Sequence, residues 1–292
     1  MKDICVTAVD GNRQRLDGGA MFGNAPRSVW EGWITPDSQG RIPLNCRAML
    51  IESDGRRILC ETGIGNFFDP KMADRYGVFE TEHMLLKNLS LLGVNEDSID
   101  FVILSHLHFD HAGGLLNSWE DQQTDGKKLC FPNAKYVVSR EALSRAKTPH
   151  PRDRASFIQD LQPLLESSGR LVVVDSTNHP EVLPETLSFY FSHGHTPGHM
   201  HTIVNSNKSR IVFAGDLIPG RAWVHLPITM GYDRFAELVI DEKKAFYDKF
   251  SDDKTWVFFT HDHQVSMSHI HLSAKGRFES HDNIEKPIRF AI

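Results

Sequence analysis

Residues 105–114 read Ser-His-Leu-His-Phe-Asp-His-Ala-Gly-Gly, which puts His106, His108, Asp110 and His111 within six positions. Imidazole and carboxylate are ligands that borderline divalent ions such as zinc select. His106 and His108 lie two apart. On an extended segment such residues point to the same side and can grip one ion. Asp110 and His111 follow as the chain turns, and Gly113-Gly114 lets the backbone run close to its neighbours. The apolar run 101–104 ahead of them predicts a buried strand, so the cluster stands at a strand end. The chemistry this supports is metal binding and metal-ion catalysis.

One loop rarely closes a metal site, and three later stretches carry further donors. His193-Gly194-His195-Thr196-Pro197-Gly198-His199 follows a predicted strand at 187–191, Ala214-Gly215-Asp216 follows one at 210–213, and Thr260-His261-Asp262-His263 follows one at 255–259. Four strand ends bearing His or Asp predict a single sheet edge that collects the site. Residue types alone do not divide these donors between separate ions.

The elements that must position them are legible in outline. Apolar runs at 48–53 and 57–61, joined at Asp54-Gly55, predict a hairpin. Met84, Leu85, Leu89 and Leu92 recur at helical spacing across 81–92, with Gly93 as the stop. Further strands are predicted at 135–139, 171–174, 201–205, 210–214 and 270–272. Helices are predicted at 153–167, interrupted by Pro163, and at 235–250. The first 45 residues, with Gly18-Gly19, Pro26, Trp30, Trp33 and Pro36, predict an irregular extension that packs on the core, lines the pocket or makes a subunit contact. Hairpins mixed with helices indicate an α/β (α+β) layered fold. With no linker or low-complexity stretch, residues 1–292 are expected to form one domain.

Composition narrows the function classes. The chain of 292 residues is 40% hydrophobic and 24% charged, in the range of a globular protein with a sizeable core. Its net charge of −6 argues against a nucleic-acid surface or an anionic membrane as partner. Cys5, Cys46, Cys60 and Cys130 form no C-x-x-C pair, which fits a reducing compartment. The start, Met1-Lys2-Asp3-Ile4-Cys5, lacks a secretory core and no run of 18 apolar residues occurs, so a cytoplasmic location is expected.

The order and spacing of S-H-L-H-F-D-H-A-G-G (105–114), H-T-P-G-H (195–199), A-G-D-L (214–217) and F-T-H-D (259–262) resemble the metallo-β-lactamase-fold hydrolase superfamily, in its acyl-homoserine lactonase and glyoxalase-II-like branches. Glu61-Thr62-Gly63 is also similar to the family pattern, with Glu61 standing where most members carry Asp. The resemblance implies a four-layer αβ/βα sandwich with two divalent ions at one end, zinc first, iron or manganese as alternatives. It implies His106, His108 and His199 on the first ion, Asp110, His111 and His261 on the second, and Asp216 bridging them. His195 is then expected to orient ligands by hydrogen bonds. His193, His201 and His263 are expected to be structural or surface residues.

The mechanism implied is attack by a metal-bridging hydroxide on an ester or lactone carbonyl, with Asp110 orienting the nucleophile and carrying a proton. Met21, Phe22, Trp30, Trp223, His225 and Met230 are the expected walls of a partly apolar pocket for a small molecule. Exposed apolar loops near the site would alternatively form a homodimer contact. A thioesterase, phosphotriesterase or β-lactam hydrolase would use the same metals. Outside hydrolysis, the alternatives are a ligand-binding or signal-response protein with vestigial activity and a di-iron redox protein.

Overall fold

The computed structural model describes residues 4–175 and 179–292, and Met1–Asp3 lie outside them. In chain order the strands are β1 (Cys5–Asp10), β2 (Gln14–Asp17), β3 (Arg41–Leu44), β4 (Arg47–Ser53), β5 (Arg56–Cys60), β6 (Phe101–Ile103), β7 (Lys135–Ser139) and β8 (Leu171–Val174). These are followed by β9 (Leu187–Ser192), β10 (His199–Asn205), β11 (Arg210–Phe213), β12 (Thr255–Phe258), β13 (Met267–Leu272), β14 (Phe278–Ile284) and β15 (Phe290–Ala291). The helices are α1 (Gly18–Phe22), α2 (Arg27–Trp30), α3 (Pro70–Arg75), α4 (Met84–Leu91), α5 (Phe109–Ala112), α6 (Trp119–Asp125), α7 (Arg140–Lys147), α8 (Leu161–Ser167) and α9 (Ala236–Phe250).

Two large sheets form, ordered β15-β1-β4-β5-β6-β7-β8 and β14-β13-β12-β11-β10-β9. The side-chain alternation of their central strands explains why they stack. Along β4, Met49 and Ile51 enter the cluster between the sheets, while Ala48 and Leu50 face α4 and α8 on the other side. Along β11, Ile211 and Phe213 point between the sheets and Val212 points towards α9. A strand buried on both faces reads as a continuous apolar run, because successive residues serve opposite layers. The order is therefore helices, sheet, sheet, helix, the sandwich expected from the resemblance.

The strands that carry the site share a direction. β5, β6 and β7 run parallel, as do β11 and β12. β9 and β11 are each antiparallel to β10, so β9 also runs with β11. Their carboxyl ends lie along one edge of the sandwich, where open α/β sheets collect ligands.

Several boundaries differ from the sequence expectation. Residues 4–45 are not irregular: they form β1 between β15 and β4 of the first sheet, the β2–β3 hairpin and two short helices. Their glycines and prolines sit in the turns between these short elements and mask the strands. The 153–167 helix begins only at Leu161, after a 3-10 turn at Arg154–Ser156, and Pro163 occupies its first turn, where a missing N–H costs nothing. Strand β14 and helices α3, α6 and α7 carried no clear apolar periodicity and were not expected. No helix among the described residues is long and apolar enough to cross a membrane.

Candidate metal centre

The chain leaves β6 through Leu104 and Ser105, places His106 and His108 on extended backbone, and enters α5 at Phe109. Gly113 and Gly114 then pass against the 62–64 segment; a Cβ on Gly114 would overlap the Thr62 carbonyl oxygen. That close approach brings Glu61 behind His111. Glu61 has φ +64°, a conformation that costs a non-glycine residue about 1–2 kcal/mol. Its backbone N–H donates to the Ile103 carbonyl (2.8 Å), and its buried carboxylate accepts from Ser105 Oγ, His111 Nδ1 (2.8 Å) and Thr260 Oγ1 (3.0 Å). Four bonds hold the strained residue in place.

Each ring is fixed in one tautomer by what backs it. His111 Nδ1 donates to Glu61 and His261 Nδ1 donates to the Asn45 carbonyl (2.6 Å). His195 Nδ1 donates to Asp233 Oδ1 (2.8 Å). Ser105 gives its hydroxyl proton to Glu61 and so accepts from His106 Nδ1 (2.8 Å). The Nε2 lone pairs of all four rings therefore face inward.

Two donor sets converge. In the first, His106 Nε2 lies 2.9 Å from His108 Nδ1, which lies 3.3 Å from His195 Nε2. In the second, His111 Nε2, His261 Nε2 and Asp216 Oδ1 are 3.2 Å apart in every pair, with Asp110 at 3.6–3.7 Å from the two rings. Ligands about 2.0–2.1 Å from one tetrahedral ion stand about 3.3 Å apart, so both spacings suit a zinc-sized cation. Asp216 Oδ1 is buried and has no hydrogen-bond donor, and the lone pairs around it have none to share. A divalent cation satisfies such a set. The other oxygen of Asp216, Oδ2, stands 3.2 Å from His195 Nε2.

The electrostatics follow from burial and these neighbours. Burial, reinforced by adjacent rings, holds His106 and His108 well below the usual imidazole range, which keeps them neutral. Burial also opposes charge on His111 and His261, but the Asp216 carboxylate outweighs it and holds both well above that range, so a proton and a divalent cation compete for the inward Nε2 of each ring. Burial likewise opposes ionisation of Asp216, yet His111, His195 and His261 hold it well below the usual carboxylate range.

Of the seven residues the resemblance implied as ligands, the structure gathers His106, His108, Asp110, His111, Asp216 and His261. His199 stands outside both donor sets. The backbone N–H of Asp216 donates to its Nε2 (3.1 Å), so the ring proton sits on Nδ1, towards His201 Nε2 (3.1 Å) and Ser192 Oγ (3.2 Å). Both nitrogens are engaged, and no lone pair remains for a metal. Gly215 (φ +48°) permits this contact, since a Cβ there would lie 2.6 Å from His199 Nε2. His195, expected only to orient other ligands, takes the inward position. Pro197-Gly198 turns the chain into β10, so His199 is the first residue of that strand and His195 stays on the loop.

The cavity over the centre, about 330 Å³, is lined by Met21, Met230 and Tyr232, and by Tyr76 and Phe109, which sequence reasoning missed. The other expected walls, Phe22, Trp30, Trp223 and His225, do not line this cavity. Phe22 stacks on Trp223 (centroids 4.6 Å, 6° between planes) and on Trp30 (5.7 Å, 16°), making a buried aromatic core beneath the loop. Trp223 Nε1 donates to the Met21 carbonyl (2.8 Å) and fixes Met21 against the cavity. His225 lines a different cavity beside Trp33 and Arg277. Gln14, also missed, donates to Asp110 Oδ2 (2.8 Å); a glutamine in a short hairpin gives no sequence signal.

Fold and site together define a metal-dependent hydrolase class: a stacked-sheet α/β sandwich with a histidine–aspartate centre on the carboxyl edge of its strands. Residues 41–261 match the metallo-beta-lactamase superfamily, and the chain belongs to that family. It is 24% identical over 248 residues to an N-acyl homoserine lactonase of Bacillus cereus, covering 81% of this chain and 88% of the relative. Among solved structures, a probable metal-dependent hydrolase from Staphylococcus aureus superposes with TM-score 0.84 at 26% identity, over 98% of both chains. The dizinc quorum-quenching lactonase AidC superposes with TM-score 0.76 at 21% identity, over 95% of this chain and 94% of AidC. The chain is thus a lactonase-like hydrolase of this fold with a histidine-rich metal site.

Proposed function

We propose that the protein is a binuclear metal-dependent hydrolase that opens the lactone or ester carbonyl of a small, partly apolar substrate, with acyl-homoserine lactones the class to test first. The observation that carries this reading is the divided carboxylate of Asp216, one oxygen 3.2 Å from His111 and His261 and the other 3.2 Å from His195. In this reading His106, His108 and His195 hold one ion, Asp110, His111 and His261 hold the second, and Asp216 serves both. Zinc suits the nitrogen-rich donors; iron and manganese are the alternatives.

Ions bound there would lower the pKa of water towards neutrality and polarise a carbonyl oxygen. The protein's own groups supply the rest. Gln14 fixes Asp110 Oδ2 and leaves Oδ1 to take a proton and deliver it to the leaving alkoxide oxygen. Met21, Phe109 and Met230 offer an apolar wall to an acyl chain and limit water beside the reacting carbonyl. The similarity to lactonases over four-fifths of the chain supports the substrate class.

The test is a hydrolysis panel of lactones, esters, thioesters, β-lactams and phosphotriesters on protein of measured metal content. The expected result is two equivalents of metal per chain and fastest turnover on lactones. Metal-replete protein that turns over none of the panel would overturn the hydrolase reading. A preference for another ester class would overturn the lactone assignment alone.

A further inference from the structure

Two arginines flank the mouth of the cavity over the metal centre, Arg75 at the end of α3 and Arg152 in the loop before α8. Both are exposed, and neither meets a carboxylate among the described residues. Arg152 is nevertheless held in place: its Nη2 donates to the carbonyls of Gly231 (3.0 Å) and Asp233 (3.4 Å). Those carbonyls flank Tyr232, which lines the cavity, and Asp233 is the residue that orients His195. Anchoring through one nitrogen leaves Nε and Nη1 with three N–H donors to offer. A guanidinium oriented by backbone carbonyls is prepared for a planar anion, because little rotamer freedom remains to be lost on binding.

The remaining charges sharpen the point. Among the described residues, the carboxylates lining the cavity are Asp110 and Asp216, both part of the donor sets, and neither arginine forms an ion pair. The same cavity is lined by the apolar Met21, Tyr76, Phe109 and Met230, which share its wall with the two exposed guanidinium groups.

Building on the hydrolase reading, we infer that Arg75 and Arg152 form a subsite for an anionic group at the far end of the substrate. The substrate class is then a lactone or ester whose acyl chain crosses the apolar stretch and ends in a carboxylate. A plain alkyl chain would leave two unpaired guanidinium groups beside its terminal methyl and gain nothing from them.

The experiment compares N-hexanoyl- and N-adipoyl-L-homoserine lactone, which share chain length and scissile bond and differ only in a terminal methyl or carboxylate. For the metal-loaded protein, KM for the adipoyl compound should be about fivefold to tenfold lower, the size of a charge-assisted contact at a solvent-exposed mouth. The difference should shrink in Arg75→Gln and vanish in Arg75→Gln/Arg152→Gln, with thermal melts confirming that each variant folds. Equal KM values in the wild type, or a preference that survives in the double variant, would overturn the inference.

Should neither lactone be cleaved, the hydrolase reading fails separately. Calorimetric titration of the two ring-opened products onto metal-loaded protein then decides the subsite. Tighter binding of the adipoyl product in the wild type but not in the double variant supports it, and equal binding in the wild type overturns it.

Discussion

His195 and His199 stand four residues apart, one on the loop after β9 and one at the start of β10, and the hydrogen bonds of each decide its use. His195 has a carboxylate behind Nδ1 and a free Nε2 facing Asp216 and His108. His199 spends Nε2 on the Asp216 backbone N–H. His195→Ala should therefore lower bound metal by about one equivalent, whereas His199→Ala should keep the metal and lower the melting temperature. Elemental analysis beside a thermal melt separates the two; metal lost only with His199 would reverse the assignment. Glu61 makes a second residue-scale prediction. Its carboxylate fixes the His111 tautomer, so Glu61→Gln should weaken metal binding about 10–100-fold, the usual cost of losing such a partner, as read by competition with a chromogenic chelator.

At the scale of elements, α9 controls the loop that supports the centre from outside. Lys243 is wholly buried in this helix, and its Nζ donates to the carbonyls of Trp223 (2.6 Å), His225 (2.9 Å), Leu226 (3.2 Å) and Ile228 (2.9 Å). The loop so gathered continues to Met230, on the cavity wall, and to Asp233, behind His195. Lys243→Met would leave those carbonyls without a donor and cost about 3–5 kcal/mol. Chemical denaturation should show that loss, together with slower turnover from a displaced Asp233; unchanged stability would contradict the role. Sequence periodicity found the helix but not this function. A single lysine on a helix otherwise reads as a solvated charge, and only the packed loop shows that it is enclosed.

At the scale of the whole molecule, the legible part was the edge of the sandwich. Donors after predicted strands at 101–104, 187–191, 210–213 and 255–259 located the site, because strand ends and metal ligands both leave local signals. The N-terminal strands stayed hidden, since β2 and β3 have four residues each and the turns beside them dominate the composition. Phe22, Trp30 and Trp223 were assigned to the pocket because an aromatic in a loop looks the same whether it meets substrate or another ring. Stacking across two hundred residues of chain is a tertiary fact. The centre also joins the halves of the fold. His106 to His111 follow the first sheet, and His195, Asp216 and His261 follow the second. Bound metal should therefore stabilise the native state by about 2.7 kcal/mol at a hundredfold excess over Kd, and chelation should lower the melting temperature accordingly. A melt insensitive to chelator in protein that had carried metal would contradict this.

In the binuclear reading Asp216 stands between two ions, one on each donor set. Anomalous diffraction at the zinc edge from crystals of zinc-loaded protein tests it most directly. Two peaks about 3.5–4 Å apart are expected, flanking Asp216, one beside His106, His108 and His195 and the other beside Asp110, His111 and His261. A single peak, or a peak coordinated by His199, would contradict it.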